Sequence, residues 1–262
     1  MTIWKIAKTE YWKLKRYSIL WAGVALMLLS VLLTLFTSTA NDGMVWTFPV
    51  LIEQVIKNNM TTIFPMCIAL ISGYIIAREQ KDDTLKNILT IPVPFKKLLA
   101  GKLLICGLIS LFLGIVCTIF TILAELFVAF PGFSMGAAVQ GLAQITLLNL
   151  FLYISVLPII ILTSRSANGF LAGVVIALVY GYGGMFAAGN MKLASLYPIT
   201  ASLGMIQYRS YEVHWNILLC CLSMAVMLAI SIVMIASMRS NIEAKKPSKN
   251  KAKPKATLKK GW

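Results

Sequence analysis

Six predominantly apolar runs divide the chain, at about 18–37, 61–77, 103–130, 138–163, 169–189 and 215–238. Each approaches or exceeds the ~20 residues that a helix rising ~1.5 Å per residue needs to cross ~30 Å of hydrocarbon. The pattern predicts an all-α integral membrane fold with six transmembrane helices. The second run is short and carries Pro65; the third is longer than a bilayer is thick, so it must tilt, bend or protrude. A basic stretch precedes the first run, which continues for some twenty apolar residues rather than a short core with an Ala-x-Ala site. That run is expected to remain as a span.

Charge then orients the spans. Of the 24 Lys and Arg residues, 21 fall on one side when the segments between runs are assigned alternately. They cluster before the first run (Lys5, Lys8, Lys13, Lys15, Arg16), between the second and third, and in the last segment from Arg239 onward. Short Lys/Arg-rich segments stay in the cytoplasm during insertion, so both termini are expected inside, at a plasma membrane. Composition agrees, since 59% apolar and 13% charged residues leave too little polar surface for a soluble globule of 262 residues. The net charge of +15 flanks apolar runs, which points to anionic lipid headgroups rather than nucleic acid. Three regions follow: an amphipathic interface helix over 1–17, a six-span domain over 18–238, and a Lys- and Pro-rich tail over 239–262, expected to be disordered. The five cysteines lie within spans without metal-ligand spacing and read as small apolar residues.

Two segments outside the spans are patterned. Trp4, Ala7, Tyr11 and Leu14 recur at helical spacing, with lysines over much of the remaining surface. This predicts an amphipathic helix along the inner leaflet, either an anchor for the first span or an elbow that transmits motion from a cytoplasmic partner. Between the second and third spans, Leu85, Ile88 and Leu89 form one apolar face of a short helix. Glu79, Asp82 and Asp83 stand in its first turns, where carboxylates complement the helix dipole, and Pro92 and Pro94 stop it. Such a helix, at about 79–90, suits a groove in a soluble protein, or is a solvated interhelical loop.

The stretch Glu79, Asp83-Thr84-Leu85, Leu89-Thr90-Ile91-Pro92 and Leu98-Leu99-Ala100-Gly101-Lys102 resembles the coupling region of ABC-2 type transporter permeases. Asp83 stands where that family often has Gly. Glu10-Tyr11-Trp12-Lys13-Leu14-Lys15-Arg16 is similar to the opening of the branch that handles peptide antibiotics, lantibiotics and phenol-soluble modulins. The resemblance implies a permease subunit that pairs with a cytoplasmic ABC ATPase through the coupling helix (Glu79, Asp82, Asp83, Thr84, Leu85, Ile88, Leu89, Pro92). The elbow helix would carry Trp4, Ala7, Tyr11 and Leu14. A second permease copy would complete the transporter. ATP and Mg would then belong to the partner, with no cofactor in this chain. Consistent with that, Lys96 stands five residues before Gly101 and Leu103 follows Lys102, so the phosphate-binding Gly-x4-Gly-Lys-Ser/Thr pattern is absent.

Polar groups within the runs are few. Glu125 is a carboxylate near the outer end of the third, read as an interfacial or packing residue or as a contact to cargo. Gln140, Gln144, Asn149 and Tyr153 recur at spacings of 4, 5 and 4 in the fourth, either as interhelical hydrogen bonders or as a polar strip along a path. A weakly polar path suits amphipathic or lipid-like cargo. Gly169 and Gly173 form a small-xxx-small pair in the fifth run, for close helix approach or as a hinge. The segment around Tyr197–Gly204 is too short to cross and is read as an external re-entrant or interfacial cap. An intramembrane enzyme would need paired carboxylates, a His cluster or a nucleophile with its base, and the runs carry no such set. The expected function is export or expulsion of amphipathic, membrane-active peptides. The alternatives are lipid-linked or other hydrophobic cargo, or a non-transporting scaffold.

Overall fold

A computed structural model of the chain describes residues 3–14, 18–40, 43, 45–81, 95–164, 169–209 and 214–237, without the side chains of residues 3–5, 14, 79–81, 191 and 192. The described residues are helices and short connections. They comprise α1 (Ile3–Leu14), α2 (Ile19–Ser38), α3 (Phe48–Asn58), a π-turn (Asn59–Ile63), α4 (Phe64–Lys81) and α5 (Phe95–Val128). After these come α6 (Met135–Thr163), α7 (Gly169–Ala188), α8 (Met191–Ala194), α9 (Pro198–Met205) and α10 (Ile217–Ser237). Six helical stretches are long and apolar enough to cross a membrane. The tail from 238 onward lies outside the described residues.

The second span departs most from the hydropathy reading. It begins at Phe48 rather than near residue 61, because α3, the π-turn and α4 run on as one helical stretch. Glu53, Gln54, Lys57 and Asn58 dilute the apolar average over α3. Phe48, Leu51, Ile52, Val55 and Ile56 nevertheless lie on one stripe, and all five are buried. Thr47 in extended geometry and Pro49 in the first turn start this helix, and Phe48 N–H donates to Pro131 O at 3.1 Å. At the π-turn, Phe64 N–H bonds five residues back to Asn59 O, and Pro65 supplies no amide to the following rung. This span is the centre of the bundle, with 72% of its apolar stretch buried, against 28% for α2 and α7 and 22% for α10.

Around it, α5 and α6 form the principal antiparallel pair. The α5 helix has 34 residues and begins at Phe95, eight residues ahead of the expected start. At ~1.5 Å per residue it is about 51 Å long, well beyond the hydrocarbon thickness. The two helices meet closely at Gly114, where a Cβ would sit 2.6 Å from Thr146 Cα. Small residues at such crossings let backbones approach where lipid offers no hydrophobic drive for association. The connection turns through Ala129 and Gly132, both with positive φ, and Ser134 caps α6 by accepting from Ala137 N–H at 3.1 Å.

The α7 helix lies on α4 and the π-turn, where a Cβ on Gly73 would meet Phe170 Cβ at 2.7 Å and one on Gly181 would meet Thr61 O, and it meets the end of α6, where a Cβ on Gly173 would stand 2.6 Å from Thr163 Oγ1. Between α7 and α10, residues Ile199 to Gly204 of α9 are all buried. Ser155 Oγ of α6 donates to Pro198 O at 3.0 Å, and Ser223 Oγ of α10 donates to Leu196 O at 2.9 Å. Side-chain donors thereby satisfy carbonyls of a buried, irregular connection.

Candidate functional site

At one end of the bundle, α1 seats against the start of α5. Ile6, Ala7 and Glu10 are its buried side chains, while Tyr11 is 55% exposed. Of the four residues expected on its apolar face, Ala7 is therefore inside and Tyr11 faces out. The side chains of Trp4 and Leu14 lie outside the description. Contact is close because Gly101 has no side chain: a Cβ there would stand 2.7 Å from Ile6 Cγ2.

Beside that contact lies a buried ion-pair cluster. Lys13 Nζ donates to Glu10 Oε1 at 2.7 Å, and Lys102 Nζ lies 3.4 Å from Glu10 Oε2. Lys102 also donates to Ile75 O of α4 at 3.0 Å. Glu10 and Lys102 are 2% and 3% exposed, and the Glu10 carboxylate meets a cation at each oxygen, Lys13 at one and Lys102 at the other. At the same end, Lys96 Nζ donates to Ala236 O, placing a cation on the carboxyl-terminal turn of α10. Glu10 and Gly101-Lys102 both lie in the stretches that carry the family resemblance, yet nothing in their spacing pairs them. Their only sequence signal is a lysine running into an apolar span.

Glu79 falls in the last turn of α4, with its side chain undescribed; Asp82, Asp83, Thr84, Leu85, Ile88, Leu89 and Pro92 lie outside the described residues. What the structure describes of this region is its two roots, α4 up to Lys81 and α5 from Phe95.

The polar residues of α5 and α6 do not face one neighbour. Glu125 is 5% exposed near the far end of α5, with the Phe130 amide beside its carboxylate. Gln140 is exposed, and Gln144 Nε2 donates to Ile206 O beyond α9 at 3.3 Å. Tyr153 Oη donates to Leu103 O of α5 at 2.6 Å. Asn149 is fully buried, and neither atom of its amide finds a hydrogen-bond partner. Asn59, which the sequence reading placed outside a span, is buried and donates to Cys117 Sγ at 3.3 Å. Cys67, Cys106, Cys117 and Cys220 are buried free thiols, and Cys221 is exposed. An open cleft of about 450 Å³ lies elsewhere, between the end of α2 and α3, lined by Phe36, Thr37, Thr39, Trp46, Gln54 and Asn58 among others.

Residues 6–184, from α1 to near the end of α7, match the profile of the family described as ABC-2 family transporter protein. The chain belongs to the ABC-2 transporter family. This ABC-2 protein is a multi-pass membrane protein, and its Glu10–Lys102 pair and both roots of the 82–94 segment fall within the matched region. It is also similar to the bacitracin transport permease protein BCRB of Bacillus licheniformis, at 27% identity over 131 residues. That alignment covers 50% of this chain and 62% of the relative, so it spans less than two thirds of the relative's length.

Proposed function

We propose that this ABC-2 permease is the membrane half of an ATP-driven exporter of amphipathic, membrane-active peptides. A separate cytoplasmic ABC ATPase supplies ATP hydrolysis, with its ATP and Mg. The observation that carries the reading is the family match over residues 6–184, joined to the likeness to a bacitracin transport permease. The apolar, thinly polar helices support cargo that already partitions into a bilayer. In this reading the ATPase docks on the 79–90 segment, both termini lie in the cytoplasm of a bacterium, and the basic tail meets anionic lipid. A second copy of the chain completes the transporter, packing rim helices that the single copy leaves largely exposed.

The test is co-expression with a candidate ABC ATPase partner, followed by reconstitution into proteoliposomes. ATP-dependent movement of a labelled amphipathic cationic peptide is the expected result. Co-purification without peptide movement, but with movement of a labelled lipid-linked carrier, would overturn the cargo assignment. No co-purification and no ATP-dependent movement of either would overturn the exporter reading.

A further inference from the structure

We propose that a small internal water site lies in the seam between α5, α6 and the π-turn, centred on the Asn149 amide. Asn149 is fully buried, and neither its Oδ1 nor its Nδ2 has a hydrogen-bond partner in the protein. Two further buried oxygens share that condition, Thr146 Oγ1 one turn earlier on α6 and Asn59 Oδ1 in the π-turn. The facing hydroxyls of α5 are placed differently, because each finds an acceptor in its own helix. Ser110 Oγ donates to Gly107 O at 2.6 Å, Thr118 Oγ1 to Gly114 O at 3.0 Å and Thr121 Oγ1 to Cys117 O at 2.9 Å.

Contacts on either side locate the amide. The two helices run antiparallel: a Cβ on Gly114 would meet Thr146 Cα at 2.6 Å, and one on Gly107 would meet Tyr153 Cε1 at 3.3 Å. Asn149 stands three residues after Thr146 and four before Tyr153, so it falls on the same ridge of α6, opposite Ser110. One turn beyond Gly114, Cys117 Sγ accepts from Asn59 Nδ2 at 3.3 Å, which leaves Asn59 Oδ1 unpaired. The order along α5 is therefore Ser110 with Asn149, Gly114 with Thr146 and Cys117 with Asn59, a rise of about 10 Å in the middle of the helix.

The burial selects the occupant. Ile145, Leu148 and Leu152 around the amide are themselves fully buried, and a primary amide left without any hydrogen bond in such surroundings carries a desolvation penalty that packing does not repay. Cargo, lipid and a second copy of the chain would each need access to Asn149, and at 0% exposure none has it. Water is small enough, and it both donates and accepts, as the two ends of an amide require. It accepts from Asn149 Nδ2 and donates to Thr146 Oγ1 or to Ser110 Oγ, which keeps its lone pairs after giving its proton to Gly107 O. A second water donates to Asn149 Oδ1 and continues toward Asn59 Oδ1. Each then has the two to four polar partners usual for buried water. At this level α5 and α6 meet through exchangeable water bonds, so the contact can shift while the amide stays satisfied. The site is closed to cargo and ATPase and stands independently of both.

The experiment uses the full permease in lipid nanodiscs. A short X-ray pulse makes hydroxyl radicals from bound as well as bulk water, so a buried ring beside an internal water is oxidised where a dry one is spared. Tyr153, one turn from Asn149, and Phe48, at the start of α3, are 4% and 1% exposed. After correction for the intrinsic reactivity of each ring, Tyr153 is expected to be oxidised several-fold faster than Phe48. Asn149→Leu, which keeps the volume and removes the amide, is expected to bring Tyr153 down to the Phe48 rate, and Thr146→Val to lower it part of the way. Asn149→Leu is also expected to lower the thermal midpoint by about 2–4 °C, the loss of roughly one net hydrogen bond. A dry, unpaired amide gives the opposite sign, since its removal relieves a penalty.

Oxidation of Tyr153 no faster than that of Phe48 in the parent would overturn the water site. So would a Tyr153 rate that Asn149→Leu leaves unchanged, or a midpoint that it raises. Should Asn149→Leu fail to fold, the parent comparison and the Thr146→Val rate decide the matter in the same way.

Discussion

Gly114 and Gly136 are the same residue on neighbouring helices with opposite consequences. A Cβ at Gly114 would meet the Thr146 backbone at 2.6 Å, whereas nothing stands within 4 Å of one at Gly136. A clash with backbone is relieved only by moving a helix. Gly114→Ala is therefore expected to lower the stability of the purified protein by about 1–3 kcal/mol. Gly136→Ala should change it by no more than about 0.5 kcal/mol, as exposed substitutions usually do. Thermal unfolding of both in one detergent checks this, and equal midpoints would show that α5 and α6 do not meet at Gly114. The residue scale also separates Asn149 from its companions on α6. Sequence spacing grouped Gln140, Gln144, Asn149 and Tyr153, but Gln144 bonds beyond α9, Tyr153 bonds α5, and the Asn149 amide finds no partner. Spacing along a helix sets a rough face; the neighbours around that face assign each member.

At the scale of elements, α3 shows how an average hides a pattern. Its charged and amide residues lower mean hydropathy, yet the five-residue buried stripe is continuous and legible by its 3,4 spacing. The π-turn was not legible in that way, since Pro65 announces a disturbance but not whether a kink, a break or a wider turn absorbs it. The connection between α7 and α10 is tied similarly by single bonds. Tyr197, just before α9, donates its hydroxyl to Tyr180 O at 2.7 Å, and burial pushes its phenol up to about 12. Burial, and then the nearby Glu53 charge, raise the Tyr208 phenol as well. A raised phenol favours the neutral, folded form. Its contribution is complete below the unfolded value of ~10 and is lost as pH climbs through about 12. Tyr197→Phe is accordingly expected to show a smaller loss of stability between those pH values than the parent, and a deficit of about 0.5–1.5 kcal/mol at neutral pH from the missing hydrogen bond. Unfolding midpoints measured across the alkaline range check the sign, and parallel curves would remove Tyr197 from that role.

For the whole molecule, the decisive quantity is the distribution of cations. If 21 of 24 Lys and Arg residues lie inside, the segment between α4 and α5 faces the cytoplasm and the loop after α2 faces out. In a Cys221→Ser background, Thr84→Cys should react with an impermeant thiol reagent only after the membrane is opened, while Ala40→Cys should react in intact cells. Labelling in the reverse order would invert the orientation and with it the docking of an ATPase on residues 79–90. Among the described residues, the six helical stretches long and apolar enough to cross a membrane overlap the six runs, because ~20 apolar residues have few alternatives to spanning a bilayer.

Hydropathy, charge asymmetry and the coupling-region residues were properties of the chain itself, and they sufficed for the helical class, the number of crossings and the resemblance to the family later matched over residues 6–184. Each arises from interactions of a residue with solvent or lipid, which depend on composition and local spacing alone. The ion pair between Glu10 and Lys102, the seat of Ile6 against Gly101 and the π-turn lying under Gly181 depended on which helices became neighbours. Those pairings join residues far apart in the chain, and only the packed bundle, which brings them to within a few ångströms, decides which buried charge finds which partner.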